Sequence, residues 1–136
     1  MCFHIHRNHF RAKVAEKDIR VYKLLCYYNE RFHSPFCYFP YIPKKNYKSK
    51  IVKILGGYIA NGLHFYSSLE WAKYNVSGIG RKNVICEFII PKGSEYYYNP
   101  DTKEYVSNQT YWPGRIYRTD RWVEFKGKVT DKMIYS

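Results

Sequence analysis

Acidic residues are scarce in this chain: 11 Asp and Glu stand against 23 Lys and Arg, for a formal net charge of +12. Such a surplus favours phosphate partners of any kind, whether polymer, nucleotide or membrane surface, without choosing among them. Long apolar runs are missing too. No stretch reaches the roughly 18 residues of a membrane span, and the opening MCFHIHRNHF lacks the apolar segment of a secretory signal. No membrane partner and a cytoplasmic location are therefore expected. The four cysteines, Cys2, Cys26, Cys37 and Cys86, form no CxxC pair and no zinc-ribbon spacing, so reduced thiols are the economical reading. The chain also lacks an RNP motif, a GXXG loop, a P-loop and zinc-finger spacing, which leaves no known nucleic-acid module indicated.

What is abundant is aromatic: 20% of the residues are Phe, Trp or Tyr, 16 of them Tyr. AT-rich coding accounts for part of this, and a tyrosine surface that stacks on flat ligands is the functional reading. With 136 residues, 46% of them hydrophobic, the chain is long enough for one domain with a packed core and too short for two. No repeat or low-complexity linker divides it. The positive charge is uneven, since residues 1–60 hold 12 Lys and Arg against 3 acids while residues 61–136 hold 11 against 8. An anionic partner is therefore sought first in the N-terminal half.

The pattern predicts an α+β fold: a single compact domain, 1–136, with a mostly antiparallel sheet, either continuous or split, and one or two short helices. Residues 1–17 read as a basic, irregular segment. "DIRVYKLLCYY", residues 18–28, reads as the first strand, with apolar Ile19, Val21 and Leu24. Pro35, Pro40 and Pro43 make residues 29–50 a long loop, and its aromatics imply that it folds down onto something. Leu63 to Tyr66 form a short strand. Ser67 with Glu70 three residues later makes a capping box, with Leu69 and Ala72 facing inward, which predicts a helix over 68–74. "NVICEFII" is apolar enough for a central strand buried on both faces. Further strands follow in "SEYYYN", "EYVSNQTYW", "RIYR" and "RWVEFKGKVT", with a break expected at Pro113-Gly114.

Cys2, His4, His6 and His9 are zinc-type ligands clustered at the N-terminus, but no second paired half exists, so no metal site is expected. The few carboxylates available for acid/base work are Glu87, Glu95 and Glu104. Cationic side chains are plentiful, with Arg20 and Lys23 on the first strand and Lys44, Lys45 and Lys48 after the prolines. Arginine clamps phosphate bidentately and lysine acts as a point charge. With Ser67 and Glu70 engaged as a cap, His64, Tyr66 and Ser68 remain to face a ligand across from Arg20, Tyr22 and Lys23.

Met1-Cys2, Ala15 with "DIRVYKLL", "SPF" at 34–36, "GLHFYSSLEWA", "VICEFIIPKGSEYY" and "EYVSNQ" are similar, in that order, to a family of small, mostly uncharacterised phage and prophage proteins. The likeness spans about residues 1–110. Architecturally, the chain also resembles the core of ADP-ribosyltransferases, which close a split sheet on NAD. That resemblance implies an NAD-type ligand, with Lys23 where those enzymes place Arg or His, "YSS" at 66–68 for their Ser-x-Ser strand, and Glu104 as the candidate catalytic carboxylate. No Glu-x-Glu precedes the last strand. The leading expectation is a protein that captures a phosphorylated nucleotide-like small molecule, such as a cyclic nucleotide acting as a host immune signal. The alternatives are an NAD-processing enzyme using Tyr66, Ser67 and Glu104, and a nucleic-acid binder.

Overall fold

The computed structural model describes residues 3–4, 12–28, 31–34, 39–54, 58–76, 83–118 and 121–124. In chain order these form β1 (Phe3–His4), β2 (Lys13–Val14), β3 (Ile19–Tyr28), β4 (Arg31–His33), β5 (Pro40–Tyr41), β6 (Lys45–Lys48), β7 (Val52–Ile54), β8 (Tyr58–Asn61), β9 (Leu63–Tyr66), the helix α1 (Leu69–Val76), β10 (Asn83–Ile90), β11 (Glu95–Asn99), β12 (Glu104–Ser107), β13 (Gln109–Arg118) and β14 (Arg121–Glu124). The main sheet runs β14-β13-β10-β3-β9-β12-β11-β2, with β4 also on β3, β5 on β4 and β6 on β13. A second sheet holds β1, β8 and β7. Every pairing among the described residues is antiparallel, so this is one compact domain of mostly antiparallel sheet with one short helix.

β3 and β10 are the centre. They pair from Ile19↔Ile90 to Cys26↔Asn83 without a slip, and their side chains alternate between two buried layers. On one face Val21, Leu25, Val84, Cys86, Phe88 and Ile90 join Leu63 and Phe65 of β9 in the main core. Phe32 of β4, Tyr41 of β5, Tyr47 of β6 and Trp112 of β13 close over it. Phe88 stacks on Trp112 at 5.6 Å and 14°, while Phe32 meets Trp112 edge-on at 5.1 Å and Tyr41 meets Phe88 at 5.2 Å. The offset and edge-on geometries suit the ring quadrupoles. On the other face Leu24, Ile85 and Tyr117 receive Ala72 and Leu69 of α1.

The main sheet is continuous but narrow at β3 and β9. β3 touches β9 through the single pair Tyr22↔Tyr66, and beyond it β3 takes β4 as its neighbour on that edge, at Cys26↔His33. The second sheet packs by Ile59 of β8 against Tyr97 and Val106. Between the sheets Gly62 turns the chain at φ 136°, where a Cβ would stand 2.5 Å from Val106 Cγ2. Only glycine accepts both the left-handed backbone and that approach.

Four sequence expectations change. The proline-rich stretch 29–50 is no loose loop over its described part: the hairpin β4–β5 and the strand β6 lay Phe32, Tyr41 and Tyr47 into the core, because aromatic burial outweighs the missing N–H groups of edge-strand prolines. Pro113-Gly114 does not break the strand. β13 continues through it with a bulge opposite Glu87 and Ile89, and Gly114 takes φ 93° there. The helix is capped one residue later than expected, since Ser68 Oγ, not Ser67, accepts the Trp71 N–H at 3.1 Å. The basic segment 1–17 includes β2, which pairs with β11 at Glu95↔Val14.

Phe88 lies fully buried among Phe65, Tyr41 and Trp112, so Phe88→Ala is expected to lower unfolding stability by about 3–5 kcal/mol. Urea unfolding with an unchanged slope checks this.

Candidate functional site

Strand register assembles a polar row across the helix-side face of the main sheet. Reading from one edge, Glu104 of β12 lies opposite Tyr66 of β9, Tyr66 opposite Tyr22 of β3, Tyr22 opposite Glu87 of β10, and Glu87 opposite Arg115 of β13. Directly paired residues share a face with Cβ atoms about 5 Å apart, so five residues from distant parts of the chain stand side by side. The neighbouring row, Leu24, Ile85, Tyr117 and Trp122, is apolar and lies on the α1 side.

Two halves of the row behave differently. Arg115 Nη1 donates to Glu87 Oε1 at 2.9 Å, and the carboxylate is almost wholly buried. The Arg115 guanidinium also lies 5.2 Å from the Trp122 ring centre, and Trp122 stacks on Tyr22 at 5.8 Å. This half is held rigid by a charge-assisted bond and ring contacts. The other half is marked by raised titration. Burial holds the Glu104 carboxyl above its ordinary range. Burial likewise raises the Tyr66 phenol, with the Glu104 charge adding to it. The Tyr22 phenol rises through burial first and the Glu87 charge second. Both phenols therefore stay protonated donors at neutral pH, next to a carboxyl that accepts or shares a proton. Arg20, two residues before Tyr22 on β3, is exposed on the same face.

Of the residues expected to bind a ligand, Arg20, Tyr22 and Tyr66 come together with Glu104. Ser68 does not belong with them, because its hydroxyl is spent on the helix cap. Lys23 is corrected as well. Strand alternation turns it to the opposite face from Tyr22, where its Nζ donates to the His64 carbonyl at 2.8 Å and lies 5.3 Å from the Phe65 ring and 5.8 Å from the Tyr41 ring. It bridges β3 and β9 beside their one paired position. His64 shares the face of the row but sits opposite Val106, and burial pushes its imidazole down to about 4, with the Lys23 charge adding. It is a neutral, packed histidine at physiological pH.

The N-terminal Cys2, His6 and His9 and the loop residue Cys37 lie outside the described residues, as does the side chain of His4. Among the described residues no group of three or more His, Cys, Asp or Glu could hold a metal ion, and no helix is long and apolar enough to cross a membrane. Comparison of the chain with family models, with curated proteins and with solved structures finds no match in any of the three.

Sequence reasoning missed Arg115 and Trp122 as parts of the site. Glu87 was singled out, but its partner was invisible because the two are 28 residues apart in sequence. Only the register of β10 against β13 joins them.

His64 yields a pH prediction with a definite sign. Its folded value near 4 lies below the ordinary 6.5, so the unfolded chain takes up the proton first and stability falls as pH drops from 6.5 toward 4. Between pH 7 and pH 4.5 this one group costs about 2–3 kcal/mol. The expected result is a steep acid loss of melting temperature in the wild type that flattens in His64→Gln.

Proposed function

We propose that this chain binds a phosphorylated, nucleotide-like small molecule on the helix-side face of the sheet, without turning it over. The observation that carries the reading is the register Tyr22, Tyr66, Glu104 across three strands, with exposed Arg20 on the same face. Aromatic rings offer flat apolar contact to a base or ribose. The Glu104 carboxyl suits sugar hydroxyls, and Arg20 suits phosphate oxygens, which it can engage bidentately. The net charge of +12 draws anions toward the protein from a distance. The likeness to phage proteins in "GLHFYSSLEWA" and "VICEFIIPKGSEYY" supports sequestration of a host signalling nucleotide as the biological purpose.

A second reading is favoured by one feature, the half-buried Glu104 carboxyl directly opposite Tyr66. In an ADP-ribosyltransferase-like core that pair would do the work of the catalytic carboxylate and a substrate-positioning hydroxyl. Lys23, on the far face, takes no part, so the reading rests on Tyr66 and Glu104 alone.

Thermal-shift titration against NAD, ADP-ribose and cyclic di- and trinucleotides separates these. A bound ligand at one hundred times its dissociation constant adds about 2.7 kcal/mol of stability. Arg20→Ala and Tyr22→Ala are expected to remove the shift, and a wild type indifferent to the whole panel would sink the binding reading. Nicotinamide release from NAD that disappears in Glu104→Gln would establish the enzyme instead, and intact NAD after prolonged incubation would exclude it.

A further inference from the structure

The helix carries a stacked aromatic pair whose outer ring, Tyr74, is turned to water. Leu69 and Ala72 anchor α1 on the sheet. Trp71 and Tyr74, at three-residue spacing on the same helix, stack on one another with ring centres 5.6 Å apart and planes 11° apart. Tyr74 is 76% exposed. A large ring left in water contributes little to folding, and only four described residues are exposed large hydrophobics, the others being Val14, Phe39 and Ile42.

One cation touches the pair. Lys103 Nζ lies 5.8 Å from the Trp71 ring centre. The Ser67 N–H donates to the Lys103 carbonyl at 3.0 Å, which ties the start of the helix to the strand end that presents Glu104. Lys103 holds a left-handed backbone, φ 56°, immediately before Glu104. Trp71, Lys103 and Glu104 thus belong to one junction at the Tyr66 end of the row.

We propose that Tyr74, backed by Trp71, is a base-stacking subsite for the nucleotide ligand, with Lys103 on the Trp71 ring as the cation of the same junction. The inference rests on the nucleotide reading given above and adds the class of ligand group that the helix takes, a heteroaromatic base. Two parallel rings already stacked at 11° present a third flat ring with a surface that loses little conformational freedom on binding. Stacking tolerates any base, because every base has a π-face, and Lys103 adds positive charge at the pair. The same chemistry serves a free nucleotide or one base of a single strand, and salt dependence tells them apart.

The test uses the intact chain with AMP, ribose 5-phosphate and an oligoadenylate of about ten residues as probes, binding being read by tryptophan fluorescence and thermal shift. Tyr74→Ala leaves the fold intact, as its exposure requires and as the melting temperature checks, and Tyr74→Phe keeps the ring. AMP is expected to bind the wild type and Tyr74→Phe alike, to weaken roughly ten-fold in Tyr74→Ala, and to quench fluorescence less in Trp71→Phe. Ribose 5-phosphate is expected to bind Tyr74→Ala as it binds the wild type. AMP binding that ignores Tyr74→Ala overturns the subsite and leaves the nucleotide reading standing. Failure of all three probes on the wild type overturns both. Oligoadenylate binding without AMP binding, salt-steep and lost in Tyr74→Ala, keeps the stacking subsite and replaces the small-molecule reading with a single strand.

Discussion

Everything in this molecule hangs on the pairing of β3 with β10. The two strands match residue for residue from Ile19↔Ile90 to Cys26↔Asn83, and both of their faces are covered. A slip of one residue would turn Phe88 and Val21 toward the helix and push Glu87 into the aromatic core. The cost of burying that carboxylate without its arginine keeps the register single-valued. Once this pair is set, β13 and β9 add to its two edges, and the positions of Arg115 and Tyr66 follow.

The two faces then divide the labour. One is filled by rings: Phe88, Trp112, Phe32, Phe65, Tyr41 and Tyr47 interlock beneath the strands that the prolines had marked as loop. Lys23 enters this face, its ammonium donating to a β9 carbonyl near two aromatic rings. That contact substitutes for ladder bonds that β3 and β9 do not make beyond Tyr22↔Tyr66. The other face is apolar only under α1. Beside the helix it becomes polar, because the alternation that puts Leu24 and Ile85 under α1 puts Tyr22 and Glu87 on the same face two residues away.

The broad architecture was legible. "NVICEFII" announced a strand buried on both sides, and β10 is that strand. The helix after "HFYSS" was expected and is present, with its inward residues Leu69 and Ala72 as anticipated. Errors fell where local rules compete with tertiary gain. Both Ser67 and Ser68 are competent caps by chemistry, and the backbone settled on Ser68 because Ser67 is tied by its N–H to Lys103. Prolines at 40 and 113 argued against strand, yet each occupies a place where its lost donor is not needed. Tyr22 and Tyr66 were both named as ligand residues, but as opposite walls; they are neighbours in one row.

From its residues alone the chain determined its mostly antiparallel sheet, its one helix and its excess of cationic and aromatic side chains, since period, capping and charge are properties of short stretches. Which of those side chains meet was decided only by tertiary structure. The joining of Glu104, Tyr66, Tyr22, Glu87 and Arg115 spans 94 positions, from Tyr22 to Arg115 at its extremes (115 minus 22, plus one), and it depends on strand order and register. Those are set by burial of the whole sheet, a quantity that no short segment contains.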